Sequence, residues 1–183
     1  MADYTDWLTK CAFHLPNKDS LTLYQGIGPG GCALLFYGLD ANEEKLAEIF
    51  AAYGGKYGQQ VSWLFGEKGQ ILISKYQSNC DENTLVLEGL GAGAEDVRFN
   101  DGDLVELLTK KNKLQDVVDI LEIEEIPILR SGIVVWPQQQ VIIQETEQIH
   151  QLLQLLEEVL TLQEIANFVS DFWISDEQIS QMV

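Results

Sequence analysis

From Leu21 to Trp173 the chain switches repeatedly between short apolar runs and stretches with helical periodicity. A strand-like segment starts at Leu21 and leads through Gly26-Ile27-Gly28-Pro29-Gly30-Gly31 into Cys32–Tyr37. That second run is apolar throughout and too short for a typical helix, which predicts a strand in the middle of a sheet. Leu46, Ile49, Phe50 and Tyr53 then fall at i, i+3, i+4 and i+7. Asn42 is placed to cap this helix and Gly54-Gly55 to stop it. Val61, Trp63 and Phe65 alternate, predicting a strand that turns at Gly66-Glu67-Lys68-Gly69 into Ile71-Leu72-Ile73.

Asp81 and Glu82 open a short helix ending at Gly91-Ala92-Gly93. Asn100-Asp101-Gly102 predicts a hairpin turn between Val97–Phe99 and Leu104–Leu108. A second amphipathic helix carries Leu114, Val117, Val118 and Leu121, with Asn112 as its expected cap. Pro127 closes it, and Ile128 to Trp136 reads as a strand ending at Pro137. Gln138-Gln139-Gln140 links to a short strand at Val141–Ile143. Thr146 is expected to cap a helix with Ile149, Leu152, Leu153, Leu156 and Leu160 on one face, before a last strand from Ile165 to Trp173. Residues 1–20, with Trp7, Phe13 and a Pro16-Asn17 breaker, read as an arm or short helix.

The resulting order, β-α-β-β, α-β-β-α-β, β-α-β, predicts an α+β fold of antiparallel sheets with helices on one face. Two ferredoxin-like lobes account for the count. One is expected to comprise residues 21–76 with 137–183, and the other, residues 77–136, to be inserted between its second and third strands.

Charge narrows the function. The 183 residues include 29 Asp+Glu against 11 Lys+Arg, a formal net charge of −18. Residues 114–183 hold a single basic residue, Arg130. A domain that binds a polyanion by displacing counterions needs a basic face, so tight autonomous binding of DNA or of an anionic membrane is not expected. Lys110, Lys111 and Lys113 form the one basic cluster, at most a weak polyanion contact. Glu122, Glu124 and Glu125 are the candidate acidic surface for a partner; Glu157 and Glu158 read as solvated.

Evidence of reaction chemistry is thin. Cys11, Cys32 and Cys80 have no metal-ligand spacing, and no disulfide framework is expected. His14 and His150 stand apart, with His150 at the edge of an apolar stripe. No nucleophile–base signature, cofactor motif or metal motif is visible, so a non-enzymatic protein is expected. The glycine-rich segment lacks the Lys-Ser or Lys-Thr of a phosphate loop and precedes a strand, which makes it a structural turn. The four tryptophans, Trp7, Trp63, Trp136 and Trp173, are expected to pack in a core or an interface. With no apolar run long enough to span a bilayer and no leader pattern, a soluble, cytoplasmic protein is expected.

Tyr24-Gln25-Gly26-Ile27-Gly28-Pro29-Gly30-Gly31, Val61-Ser62-Trp63-Leu64-Phe65 with Lys68-Gly69, and Ala92-Gly93-Ala94-Glu95-Asp96-Val97 follow one another in that order. They resemble the Y-E-G-Y-G-P-G-G, V-S-W-x-F-x-x-K-G and A-G-A-E-D-V stretches of the YebC/PmpR family. Trp136-Pro137-Gln138 is similar to its I-P-Q, and Ile174–Glu177 to its C-terminus. The resemblance, over residues 20–178, implies an acidic α+β body corresponding to the family's second and third domains. Only about 23 residues precede Tyr24, so the family's basic helical N-terminal domain is expected to be lacking.

The resemblance further implies a regulator of transcription or translation. For this shortened form it implies work through a basic partner, whether ribosome, polymerase or a full-length relative. On that reading Tyr24, Gly26, Gly28, Pro29, Gly30 and Gly31 form a structural turn or an interaction surface. The alternative is a ferredoxin-like ligand-binding or oligomeric regulatory module with no nucleic-acid function.

Overall fold

The apolar run at Cys32–Tyr37 organises its surroundings. In the computed structural model of the chain, which describes residues 20–76, 78, 81–99, 103–175 and 178, strand β2 (Ala33–Gly38) is buried along its whole length. It pairs antiparallel with β1 (Thr22–Ile27) on one side and with β9 (Ile165–Ser170) on the other. A short β3 (Lys56–Tyr57) completes the sheet order β3-β1-β2-β9. Register sets Tyr24, Phe36 and Phe168 in one row across β1, β2 and β9.

Helix α1 (Glu43–Ala52) begins where Asn42 accepts a hydrogen bond from the Lys45 N–H at 3.1 Å. Its Leu46, Ile49 and Phe50 join Ile149, Leu152, Leu155, Leu156 and Val159 of α4 (Thr146–Leu160) in one apolar cluster with that row. Phe50 meets the Phe36 ring edge-on, with centroids 6.0 Å apart at 84°. Phe168 lies 6.2 Å from Phe36 on the other side.

A second unit has its own sheet and core. Strand β4 (Phe65–Ser74), helix α2 (Glu82–Ala92), strands β5 (Asp96–Phe99) and β6 (Leu104–Lys110), helix α3 (Leu114–Ile123) and strand β7 (Ile128–Pro137) follow in the split β-α-β order. The sheet order is β5-β6-β4-β7. Ile71, Ile73, Val105 and Leu107 form its core with Leu85, Ala92, Val117, Val118 and Leu121 of the two helices. The fold is α+β with antiparallel main sheets; β8 (Val141–Ile142) and β10 (Phe172–Trp173) add a two-stranded parallel pair.

Several expectations need correction. The alternation at Val61, Trp63 and Phe65 is not a strand: Ser62–Leu64 is a 3-10 turn, and Trp63 is 72% exposed rather than packed. The Gln25 side chain takes the Val61 and Ser62 N–H groups at 2.9 and 3.0 Å, removing those donors from any ladder. No turn forms at Gly66–Gly69, because Lys68 and Gly69 pair with Lys110 and Thr109 inside a continuous β4.

The segment at Ile71–Ile73 therefore belongs to the second unit. The division falls between Gly66 and Glu67 and between Val135 and Trp136, not at residues 77 and 136. Asn112 sits in a 3-10 turn ahead of α3, and Thr146 is the first residue of α4 rather than its cap. The last strand breaks at Asp171, whose carboxylate accepts from the Ala33 N–H at 2.7 Å while its carbonyl takes the Val141 N–H at 2.7 Å. Trp173 is likewise exposed rather than packed in the core. The arm through residue 19, with Trp7, Cys11 and His14, lies outside the described residues, as do Cys80 and the Asn100-Asp101-Gly102 turn.

Phe36→Ala should cost about 3–5 kcal/mol, because a fully buried ring touching both neighbours in its row leaves a cavity that cannot collapse. Chemical denaturation followed by tryptophan fluorescence measures it.

Candidate functional site

Sequence motifs nominate three places, and the structure gives each a different character. The glycine-rich turn follows directly from β1 and leads into β2. Pro29–Gly31 forms a single 3-10 turn closed by the Gly31 N–H donating to the Gly28 carbonyl at 3.1 Å, and the Gly28 N–H donates across its base to the Cys32 carbonyl at 2.8 Å. Tyr24 is buried, its hydroxyl accepting from the Ala41 N–H at 2.9 Å. Gly26 lies where a Cβ would stand 2.6 Å from both the Lys56 carbonyl oxygen and the Phe50 ring. Gly30 has φ +76° and faces Ile143. Two backbone constraints, close approach and left-handed φ, thus account for the glycines. Gly28 and Pro29 are buried, and only Gly30 and Gly31 reach solvent.

The three lysines lie at the end of β6 and in the turn before α3. Lys111 is ion-paired with Glu67, and Lys113 with Asp116 at 2.8 Å. Carboxylates of the same unit therefore hold two of the three amines, which weakens any attraction for a polyanion.

Glu122, Glu124 and Glu125 end α3, and all three are exposed. The helix closes in a Schellman arrangement: Ile126 N–H donates to the Leu121 carbonyl at 2.9 Å and Glu125 N–H to the Glu122 carbonyl at 3.1 Å. Glu125 occupies the left-handed position, φ +57°, where glycine is favoured. Three carboxylates thus sit at the negative end of the helix dipole, which local stability disfavours.

A polar cluster that no motif announced lies on the face of the second sheet opposite its helices. Glu106 stands beside Arg98 in register and is 8% exposed. Gln70 donates its amide N–H to the Glu106 carboxylate, and the Arg130 guanidinium donates to the Gln70 carbonyl at 3.4 Å. Burial raises the Glu106 pKa, opposed by the Gln70 hydrogen bond and the charges of Arg98 and Arg130. Its one sequence signal is a carboxylate inside the apolar run Leu104-Val105-Glu106-Leu107-Leu108.

In the first unit, an open cleft of ≈ 730 Å³ between the end of α1 and the start of α4 is lined by Tyr53, Glu145, Glu147 and His150. His150 is exposed there, and the Tyr53 hydroxyl donates to Glu158 at 2.8 Å. Among the described residues no group of three or more His, Cys, Asp or Glu side chains is arranged to hold a metal ion. No described helix is long and apolar enough to cross a membrane.

The family described as the TACO1/YebC second and third domain matches residues 19–172. The chain belongs to the TACO1/YebC family. A protein of Dictyoglomus turgidum named "Probable transcriptional regulatory protein" is 33% identical over 165 residues, covering 87% of this chain and 65% of its own length. One of Natranaerobius thermophilus with the same name is 34% identical over 160 residues, 84% of this chain and 63% of its own length. The chain thus spans somewhat less than two thirds of these relatives. The crystal structure of a conserved hypothetical protein from Aquifex aeolicus is similar at a TM-score of 0.70 and 25% identity, over 89% of this chain and 69% of that one. The three stretches that carry the resemblance lie at element junctions: Tyr24–Gly31 runs from β1 into β2, Val61–Phe65 leads into β4, and Ala92–Val97 joins α2 to β5.

Two outcomes are expected. Gly30→Val should destabilise by roughly 1–3 kcal/mol through left-handed strain, whereas Gly66→Ala, with open space around its Cβ, should change the denaturation midpoint little. For Glu106 the folded chain holds the proton more tightly than the unfolded one. The native state therefore binds more protons above the ordinary value of 4.5, and stability falls as pH rises through the raised folded value. Glu106→Gln should flatten that fall, with the midpoint difference growing in favour of the variant from pH 4.5 towards neutrality.

Proposed function

We propose that this chain is the partner-binding body of a TACO1/YebC-type regulator of gene expression, working through a basic protein surface on the transcription or translation machinery. It is not a free-standing DNA binder. The supporting observation is the end of α3, where three exposed carboxylates accept an unfavourable dipole and one an unfavourable backbone conformation. A locally costly arrangement is offset when a cationic surface arrives. The relatives' names support regulation, and the −18 charge argues that encounter with a polyanion needs a basic intermediary. Complementary potentials of this kind mainly accelerate association.

Replacement of Glu122, Glu124 and Glu125 by Lys provides the test, because cations suit a helix C-terminus and the variant should fold at least as well. Association with purified ribosomes or RNA polymerase, followed by co-sedimentation and surface plasmon resonance, should slow by about tenfold or more in the variant. Wild-type binding should weaken steeply between roughly 50 and 300 mM salt as screening shortens. A sequence-specific, sub-micromolar duplex DNA complex of the chain alone at ~150 mM salt would overturn the reading.

A further inference from the structure

Helix α2 is apolar nearly all round. Leu85, Gly89 and Ala92 face the core, while Leu87, 70% exposed, and Leu90 project from the side turned away from it. Helix α3 repeats the pattern: Val117, Val118 and Leu121 are buried, and Ile120 and Ile123, the latter 75% exposed, face solvent at i, i+3 spacing. The two helices pack against each other over the same core. Scattered exposed leucines need no explanation, but four large apolar side chains on one helix pair do.

Their setting selects the occupant. Residues 81–92 and 114–125 carry eight carboxylates and no Lys or Arg; Lys75 and Lys113, from outside these spans, pair with two of them, Glu82 and Asp116. A second copy of the chain would bring like charges together around the apolar contact. Nucleic acid and anionic lipid are repelled by the same field. A segment with an apolar stripe flanked by Lys and Arg satisfies both features: its stripe covers Leu87, Leu90, Ile120 and Ile123, and its cations meet the acidic rim.

We propose that the α2–α3 face of the second unit is a docking surface for a cationic amphipathic helix of a partner protein. This rests on the basic-partner reading above and gives that partner a shape.

The test uses the full chain and two fluorescent peptides of identical Leu/Lys composition, one amphipathic as a helix and one scrambled. Wild type should bind the amphipathic peptide at least ~10-fold more tightly than the scrambled one, with amide shift perturbations confined to residues 83–92 and 116–125. Leu87→Asp with Ile123→Asp should abolish that preference, even though it makes the surface more acidic. Leu87→Ser with Ile123→Ser serves where circular dichroism shows the first pair unfolded. Equal affinity for both peptides, an unchanged preference in either double variant, or perturbations elsewhere would overturn the docking surface. So would concentration-dependent dimerisation of wild type lost in the double variant. Ribosome or polymerase binding that responds to the Glu122, Glu124 and Glu125 reversal, while the peptide preference fails, would sink this inference and leave the basic-partner reading standing.

Discussion

The buried row of Tyr24, Phe36 and Phe168 is the contact on which the first unit depends. Neighbouring strands place the three side chains side by side, and Phe50 closes on Phe36 from α1. A one-residue slip in either ladder would turn that strand's contribution to the opposite face of the sheet and empty the cluster. Gly26 belongs to the same constraint: β3 and the Phe50 ring come so close to β1 there that a side chain has no room. Gly26 is thus a packing requirement beside the aromatic row, and Gly30 supplies a left-handed residue in the turn from β1 into β2.

The second unit reaches the same layering with aliphatic residues and tolerates a buried carboxylate on its helix-free face. Glu106 is held there by Gln70 and by the charges of two arginines, a network in which partial loss costs more than full replacement. The chain's acidity is therefore not uniform in kind. Glu106 and Asp171 are buried and tied into structure, whereas the carboxylates of α2 and α3 face outward.

Most of the secondary structure was legible because periodicity reports which face is buried. The stripes of Leu46, Ile49 and Phe50 and of Val117, Val118 and Leu121 form the expected helices. The misreadings have two causes. At Val61–Phe65 a distant group decided, the Gln25 side chain taking the backbone donors, and at Asn112 the neighbouring backbone decided, a 3-10 turn after β6 delaying the helix. The candidate surface at Glu122, Glu124 and Glu125 was visible as charge. Its left-handed residue was not, since sequence does not display φ. Nor could periodicity separate the apolar residues of α2 that face the core from those that face solvent, because that helix has them on nearly every side.

Insertion of one unit into the other shapes how the chain can fold. The Gln138 N–H donates to the Leu64 carbonyl at 2.9 Å, just outside the boundaries of the inserted unit, so its entry and exit points are held together. Left unfolded, residues 67–135 would be a long loop separating β1–β3 from α4 and β9. Each doubling of such a loop adds about 0.6 kcal/mol to the entropy of closure. Once folded, the insert behaves as a short clasp that presents the two halves of the outer unit to each other. The inner unit, whose contacts span fewer residues, gains by condensing first, and the outer unit inherits a barrier close to that of an uninterrupted chain. A lesion in the insert would then slow assembly of the outer core as well.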